Sequence, residues 1–182
     1  DGDLDFIVAY WPHEQSCWYE NDGNGNFTDH GLIAPSYQGR VVEIWDKDID
    51  GDPDLVIHSS MQLSWLENDG QGQFLQIHSL VSGSLTWLYE TGDMDLDGDD
   101  DLIVHTIGEN SRQLHWLENF ENPNLGLSHF IADISLVNTI ECADLDLDGD
   151  MDLLSGYYDS HGIKVYENLG DGSFAEGEMI FF

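Results

Sequence analysis

The sequence predicts an all-β protein of about four repeated units, each built from four short strands in the manner of a propeller blade. Three observations carry that expectation. Asp-x-Asp-x-Asp-Gly-Asp-x-Asp-Leu occurs in full at residues 46–55, 93–102 and 144–153, and the chain opens on its second half, Asp1-Gly2-Asp3-Leu4-Asp5-Phe6. The central Asp-Gly pairs begin at Asp1, Asp50, Asp97 and Asp148, a period of roughly 50 residues. A second motif keeps step with the first: Trp18-Tyr-Glu-Asn-Asp-Gly-Asn-Gly-Asn-Phe27, Trp65-Leu-Glu-Asn-Asp-Gly-Gln-Gly-Gln-Phe74, Trp116-Leu-Glu-Asn with a longer insert before Phe130, and Val165-Tyr-Glu-Asn-Leu-Gly-Asp-Gly-Ser-Phe174.

The strands follow in order. An apolar run precedes each full Asp loop (Val41–Trp45, Leu85–Tyr89, Val137–Cys142). A second follows each loop (Phe6–Tyr10, Leu55–His58, Leu102–Thr106, Leu153–Tyr157). The third strand carries the Glu-Asn motif, and the Gly-rich turn leads to a fourth that starts at the Phe, the pattern of consecutive hairpins. No stretch shows capped helical periodicity. The units are bounded at residues 1–45, 46–92, 93–143 and 144–182, one repeat domain over 1–182 with both ends incomplete. Met179-Ile-Phe-Phe182 reads as the start of another inner strand, so the segment is expected to belong to a longer polypeptide or to close through neighbouring subunits.

Five aspartates within nine residues repel one another unless a cation sits among them. Oxygen ligands at alternate positions, with glycine at the sharp bend, suit Ca²⁺. EF-hand and dockerin loops share the opening but close with an acid at position twelve between helices. Position twelve here is Ile57, Val104 or Ser155, the closing acid is at position nine, and the flanks read as strands.

The paired motifs resemble the VCBS / FG-GAP-like repeat family, which includes the calcium-binding blades of integrin α-subunit propellers. The resemblance runs through the three full loops and the Glu-Asn hairpins, and it departs only at Phe120-Glu-Asn-Pro-Asn-Leu-Gly. It implies that positions 1, 3, 5 and 9 give side-chain oxygens and position 7 its carbonyl. The implied metal residues are Asp46, Asp48, Asp50, Asp52 and Asp54; Asp93, Asp95, Asp97, Asp99 and Asp101; and Asp144, Asp146, Asp148, Asp150 and Asp152. The first loop keeps Asp1, Asp3 and Asp5. Three full Ca²⁺ sites and a partial fourth are expected.

The chain carries 37 acids against 4 lysines and arginines, a net charge of −33 over 182 residues. The Asp loops account for about half of the acids. Nucleic acid and anionic membranes, which need clustered bases, are excluded as partners. Cys17 and Cys142 lie in different units with no metal spacing and read as two small buried thiols. No apolar run reaches spanning length, and loops of this type fill at extracellular calcium levels.

Other candidates have plainer readings. Trp18, Trp65 and Trp116 share one slot, where the fourth unit has Val165 followed by Tyr166, and these aromatics read as packing between units ahead of sugar stacking. Trp11, Trp45, Trp87 and Tyr158 break the register and are candidates for a binding surface, with core or turn packing the plainer reading. Glu43, Glu90 and Glu141 precede each loop by three residues, and a ring of them near the metal is one reading. Glu20, Glu67, Glu118 and Glu167 are expected to accept hydrogen bonds from backbone or turn groups, since few bases exist to pair with them. His58 and His105 share a slot and read as strand packing. Asn26-Phe27-Thr28 is a glycosylation sequon in a turn. No nucleophile elbow, phosphate loop or zinc motif is present.

The expected function is an extracellular, non-catalytic, calcium-binding module with a structural or adhesive scaffold role, in a surface protein or filament. The expected partners are neighbouring blades or subunits, with glycans or surface proteins as further candidates. The alternatives are a carbohydrate-binding lectin and a fragment of a polysaccharide-degrading enzyme.

Overall fold

The computed structural model of the chain describes residues 2–10, 15–33, 39–59, 62–82, 85–107, 111–120, 126–135, 137–158 and 161–181. They form fifteen β-strands in four antiparallel sheets. The chain divides into two compact units, Asp1–Asp46 with Gly51–Ser82, and Lys47–Asp50 with Gly83–Phe182.

Unit 1 holds two sheets. The first has β1 (Phe6–Tyr10), β2 (Gln15–Asn21) and β3 (Phe27–Leu32), and the second has β4 (Arg40–Trp45), β5 (Asp54–Ser59), β6 (Gln62–Asn68) and β7 (Phe74–Ser82). Each is a meander in chain order. β5 is buried from Asp54 to His58 without alternation. A strand covered on both faces needs a continuous apolar run, and Leu55-Val-Ile supplies it. Leu55, Ile57 and Leu66 of the second sheet pack with Ile7 of the first, and Val41 and Phe74 join them.

Unit 2 repeats the plan with β8 (Leu85–Gly92), β9 (Asp101–Ile107), β10 (Arg112–Leu117) and β11 (Ser128–Asp133), then β12 (Val137–Ala143), β13 (Asp152–Tyr157), β14 (Gly162–Asn168) and β15 (Phe174–Phe181). Its core joins the two sheets through Met94, Ile103, Leu114 and Trp116 on one side and Ile140, Leu153 and Tyr166 on the other. Each four-stranded sheet begins with the strand before its Asp loop, so the loop lies inside the sheet, between its first and second strands.

Two expectations about strand ends change. Met179–Phe181 do not start an inner strand: they finish β15, where Met179, Ile180 and Phe181 pair with Lys164, Ile163 and Gly162. In the third repeat the outer strand starts at Ser128 rather than Phe130, and Phe130 pairs with His115. Phe27, Phe74 and Phe174 instead sit opposite the motif asparagines Asn21, Asn68 and Asn168. The longer third hairpin moves the phenylalanine out of that register.

Candidate metal centre

Each full loop folds back on itself through two residues in the left-handed region. Gly51, Gly98 and Gly149 at position six have φ of 95°, 101° and 103°. Ile49, Leu96 and Leu147 at position four have φ of 60°, 63° and 66°. A bulky side chain at positive φ is an outlier, so all three loops hold the same local strain. The fold draws the odd positions inward. Carboxylate oxygens of Asp46, Asp48 and Asp50 lie within 4.8 Å of one another, as do those of Asp93, Asp95 and Asp97, and of Asp144, Asp146 and Asp148.

Part of this charge is shut away from water. Oδ1 of Asp95, Asp99, Asp144 and Asp150 is buried with no hydrogen-bond partner among the described residues. Burial first, then the neighbouring Asp97, raises Asp99 to about 6, against a smaller lowering by Lys47. Burial and Asp148 raise Asp150 to about 6. Burial also lifts Asp101 to about 7, although the N–H groups of Asn119 and Met94 favour its charged form. Buried carboxylates without a counter-charge are costly. A hard cation held by several oxygens fits this donor set.

Position nine does a second job. Oδ1 of Asp5, Asp54, Asp101 and Asp152 accepts the backbone N–H of Asn21, Asn68, Asn119 and Asn168 at 2.8, 2.7, 2.8 and 2.9 Å. Oδ2 of Asp101 and of Asp152 accepts the position-two N–H of Met94 and Leu145 at 3.1 and 3.0 Å. The closing acid thus ties the loop to the hairpin of its own sheet. The asparagine completes the tie: Asn21 Nδ2 donates to Leu4 O, and Asn68 Nδ2 to Pro53 O, at 3.1 and 3.0 Å. In unit 2 the asparagines also reach the preceding loop, Asn168 to Met94 O at 2.8 Å and Asn119 to Lys47 O at 3.3 Å.

Lys47, at position two of the second loop, is fully buried. Its ammonium donates to Asn119 Oδ1, and to Phe120 O at 2.8 Å. This is the hairpin whose Gly-x-Gly turn is missing. In the fourth hairpin Asn168 Oδ1 accepts instead from Gly170 N at 3.2 Å. In the third hairpin Lys47 is a donor to the corresponding asparagine oxygen. The one departure in sequence, in the third hairpin, is thus accompanied by a tether from a residue some seventy positions upstream.

The motif glutamates were expected to bind backbone or turn groups, but three pair with histidines. His30, His78 and His129 place Nε2 at 2.7, 3.2 and 3.5 Å from Glu20, Glu67 and Glu118. Each imidazole also stacks on the tryptophan of its motif, Trp18, Trp65 or Trp116, with centroids 4.1, 4.5 and 4.0 Å apart. The recurrence of histidine twelve or thirteen residues after each tryptophan is visible in the sequence and identifies the trio. Trp18 and Trp116 pack against the turn of the next sheet in the same unit. A Cβ on Gly72 would come within 3.0 Å of Trp18, and one on Gly172 within 2.5 Å of Trp116. Trp116 Nε1 donates to Gly172 O at 2.9 Å.

The remaining candidates scatter. Trp45 is buried rather than on a binding surface, whereas Tyr158 is exposed. Asp1 and Trp11 lie outside the described residues, as does the side chain of Trp87. Glu43 is half-buried and raised by that burial. Glu141 is exposed and accepts Thr139 Oγ1 at 3.1 Å. His58 and His105 are buried in β5 and β9. Both cysteines are half-buried. Asn26 closes its turn on Asp22, its Nδ2 2.8 Å from Asp22 Oδ2.

The family model of the FG-GAP-like repeat matches residues 1–57 and again 46–104, more than half of the chain. This chain belongs to the FG-GAP-like repeat family. Among solved structures, the FG-GAP-like chain is similar to an Agrocybe aegerita lectin described as specifically recognising non-reducing terminal N-acetylglucosamine. That likeness has a TM-score of 0.64 at 15% identity and covers 91% of this chain but 46% of the lectin. The FG-GAP-like chain thus spans less than half of that lectin's length, and the likeness is one of fold. No curated protein matches it significantly. Among the described residues of this FG-GAP-like protein, no helix is long and apolar enough to cross a membrane.

Proposed function

We propose that this FG-GAP-like propeller module binds Ca²⁺ in its three full loops and serves outside the cell as a non-catalytic structural or adhesive scaffold. The observation that carries the reading is the convergence of three carboxylates within 4.8 Å in each loop. Asp46, Asp48 and Asp50, Asp93, Asp95 and Asp97, and Asp144, Asp146 and Asp148 would hold the ions. Asp54, Asp101 and Asp152 are further side-chain donors, with the carbonyls of Asp52, Asp99 and Asp150. The bound ion supplies counter-charge. The protein's part is to aim oxygens inward and to tie each loop to its hairpin through position nine. Asp3 and Asp5 belong to the first loop, where a weaker fourth site is proposed. Sites of this kind suit the calcium of extracellular fluids.

Trp65 and Trp116 are 3% and 2% exposed and each has one face covered by a histidine. That puts the scaffold reading ahead of sugar stacking at the motif tryptophans. Saturable binding on a glycan array would reverse the order. The metal reading is tested by calorimetric titration with CaCl₂ and by thermal melts. Three ions should bind, and excess chelator should lower Tm by well over 10 °C, since a ligand at ~1,000 times its Kd stabilises by about 4 kcal/mol. Mg²⁺ should restore little of it. Superimposable melts in calcium and in chelator would remove the metal from the account.

A further inference from the structure

In unit 2 an unbroken run of hydrogen bonds joins the third and fourth Asp loops through one asparagine. Asn168 gives its backbone N–H to Asp152 Oδ1 at 2.9 Å and its side-chain amide to Met151 O at 3.3 Å, both in the fourth loop. The same amide reaches back to Met94 O in the third loop at 2.8 Å. Met94 in turn gives its N–H to Oδ2 of Asp101, the closing acid of that loop, at 3.1 Å. Asn168, Asp152, Met94 and Asp101 are all buried, none more than 2% exposed. Burial keeps water from competing for these bonds. Asn119 makes the same reach one hairpin earlier, to Lys47 O at 3.3 Å.

Both loops hold costs that a counter-charge offsets. Leu96 and Leu147 have φ of 63° and 66°, a strained backbone for leucine. Oδ1 of Asp99 and of Asp150 is buried with no hydrogen-bond partner among the described residues. A cation among the carboxylates favours this folded-back shape, and its removal favours a relaxed one. Position nine moves with its loop. Asp152 is at once a donor to the proposed ion and the acceptor that fixes Asn168, and Asp101 stands in the same relation to Met94.

We propose that Ca²⁺ binding in the third and fourth loops is positively cooperative, with Asn168 as the positioning residue that couples them. The proposal rests on the calcium reading and adds how two of its sites respond to each other. An ion in the fourth loop fixes Asp152, and Asp152 fixes Asn168. Asn168 then holds Met94, and with it Asp101, in the shape that takes an ion. Linkage makes the effect equal in the other direction. Charge alone would make the first ion oppose the second. The sign of the effect therefore separates the hydrogen-bonded path from simple repulsion.

The test titrates the whole 182-residue chain, ¹⁵N-labelled, with CaCl₂ at fixed ionic strength. The amide of Gly98, which donates to Asp93 Oδ2 at 3.1 Å, reports the third loop, and that of Asp150, 3.2 Å from Asp148 Oδ1, reports the fourth. Asp144→Asn with Asp148→Asn empties the fourth loop and removes as much negative charge as a bound Ca²⁺ cancels. The pair should raise the calcium midpoint at Gly98 by about tenfold. Asp93→Asn with Asp97→Asn should raise the midpoint at Asp150 by the same factor. Asn168→Ser and Asn168→Asp keep the backbone N–H but lose the amide. In either background, emptying the fourth loop should move the Gly98 midpoint by less than about twofold. Midpoints that stay or fall when the other loop is emptied overturn the coupling and leave the calcium reading standing. A full shift that persists without the amide overturns the part given to Asn168. Signals in both loops indifferent to calcium would remove the calcium reading and the coupling together.

Discussion

Single residues in this chain do work that their neighbours in sequence do not reveal. Lys47 is one of only four lysines and arginines, yet it is fully buried and spent on one hairpin. Lys47→Met keeps the stem and removes the donor, leaving Asn119 Oδ1 and Phe120 O without it. Chemical denaturation should show a loss of about 3 kcal/mol. A change below 0.5 kcal/mol would mean that water replaces the ammonium. His105 gives a pH signature. Burial, then Arg112, lowers it from 6.5 to about 4, so the folded chain keeps it neutral while the unfolded chain takes a proton. Its contribution is intact above pH 6.5 and is lost as pH falls from there towards 4. His105→Gln should therefore gain on the parent across that window, and parallel stability curves would contradict the assignment.

At the scale of the element, the turn glycines meet different surroundings at similar backbone angles. Gly25, Gly72 and Gly172 have φ of 86°, 74° and 73°. A Cβ on Gly25 meets nothing within 4 Å, one on Gly72 comes within 3.0 Å of Trp18, and one on Gly172 within 2.5 Å of Trp116. Alanine should cost about 1 kcal/mol at Gly25 for the positive φ alone, and some 2–4 kcal/mol at Gly172, with Gly72 between. Equal costs in denaturant melts would show that the packing of tryptophan on the next turn carries no weight. The elements themselves were legible in the sequence. Apolar runs such as Leu55–His58 and the Asn-x-Gly turns mark strands and hairpins because both depend on local chemistry. The aspartate triplets were legible for the same reason, as all their members lie within five residues. The Lys47 tether was not, since it joins residues far apart. The positive φ of Ile49, Leu96 and Leu147 was not either, because those residue types ordinarily argue against it. Nor was Met179–Phe181 as the end of an outer strand, where an apolar run looks alike on either side of a sheet. The Trp–His–Glu trio lay in plain view, hidden by counting only lysine and arginine as bases.

The whole molecule carries a charge of −33 that its own bases hardly offset. Self-repulsion of that size favours expanded states, and salt screens it over about 10 Å at 0.1 M. In chelator, raising NaCl from millimolar to about 1 M should lift Tm by several degrees, and the gain should shrink once calcium is bound. A salt-independent Tm in chelator would place the repulsion elsewhere than in the folded state. The sequence period and the sheets are also out of phase by one strand, since each four-stranded sheet starts ahead of its Asp loop. A genetic duplication running from loop to loop, such as residues 93–143, would copy three strands of one sheet and the opening strand of the next. Each copied cassette would then be stitched into the sheets on both sides of it. Arrays of this kind can lengthen or shorten by whole cassettes without leaving a bare seam inside, while a single cassette cut free would carry no complete sheet.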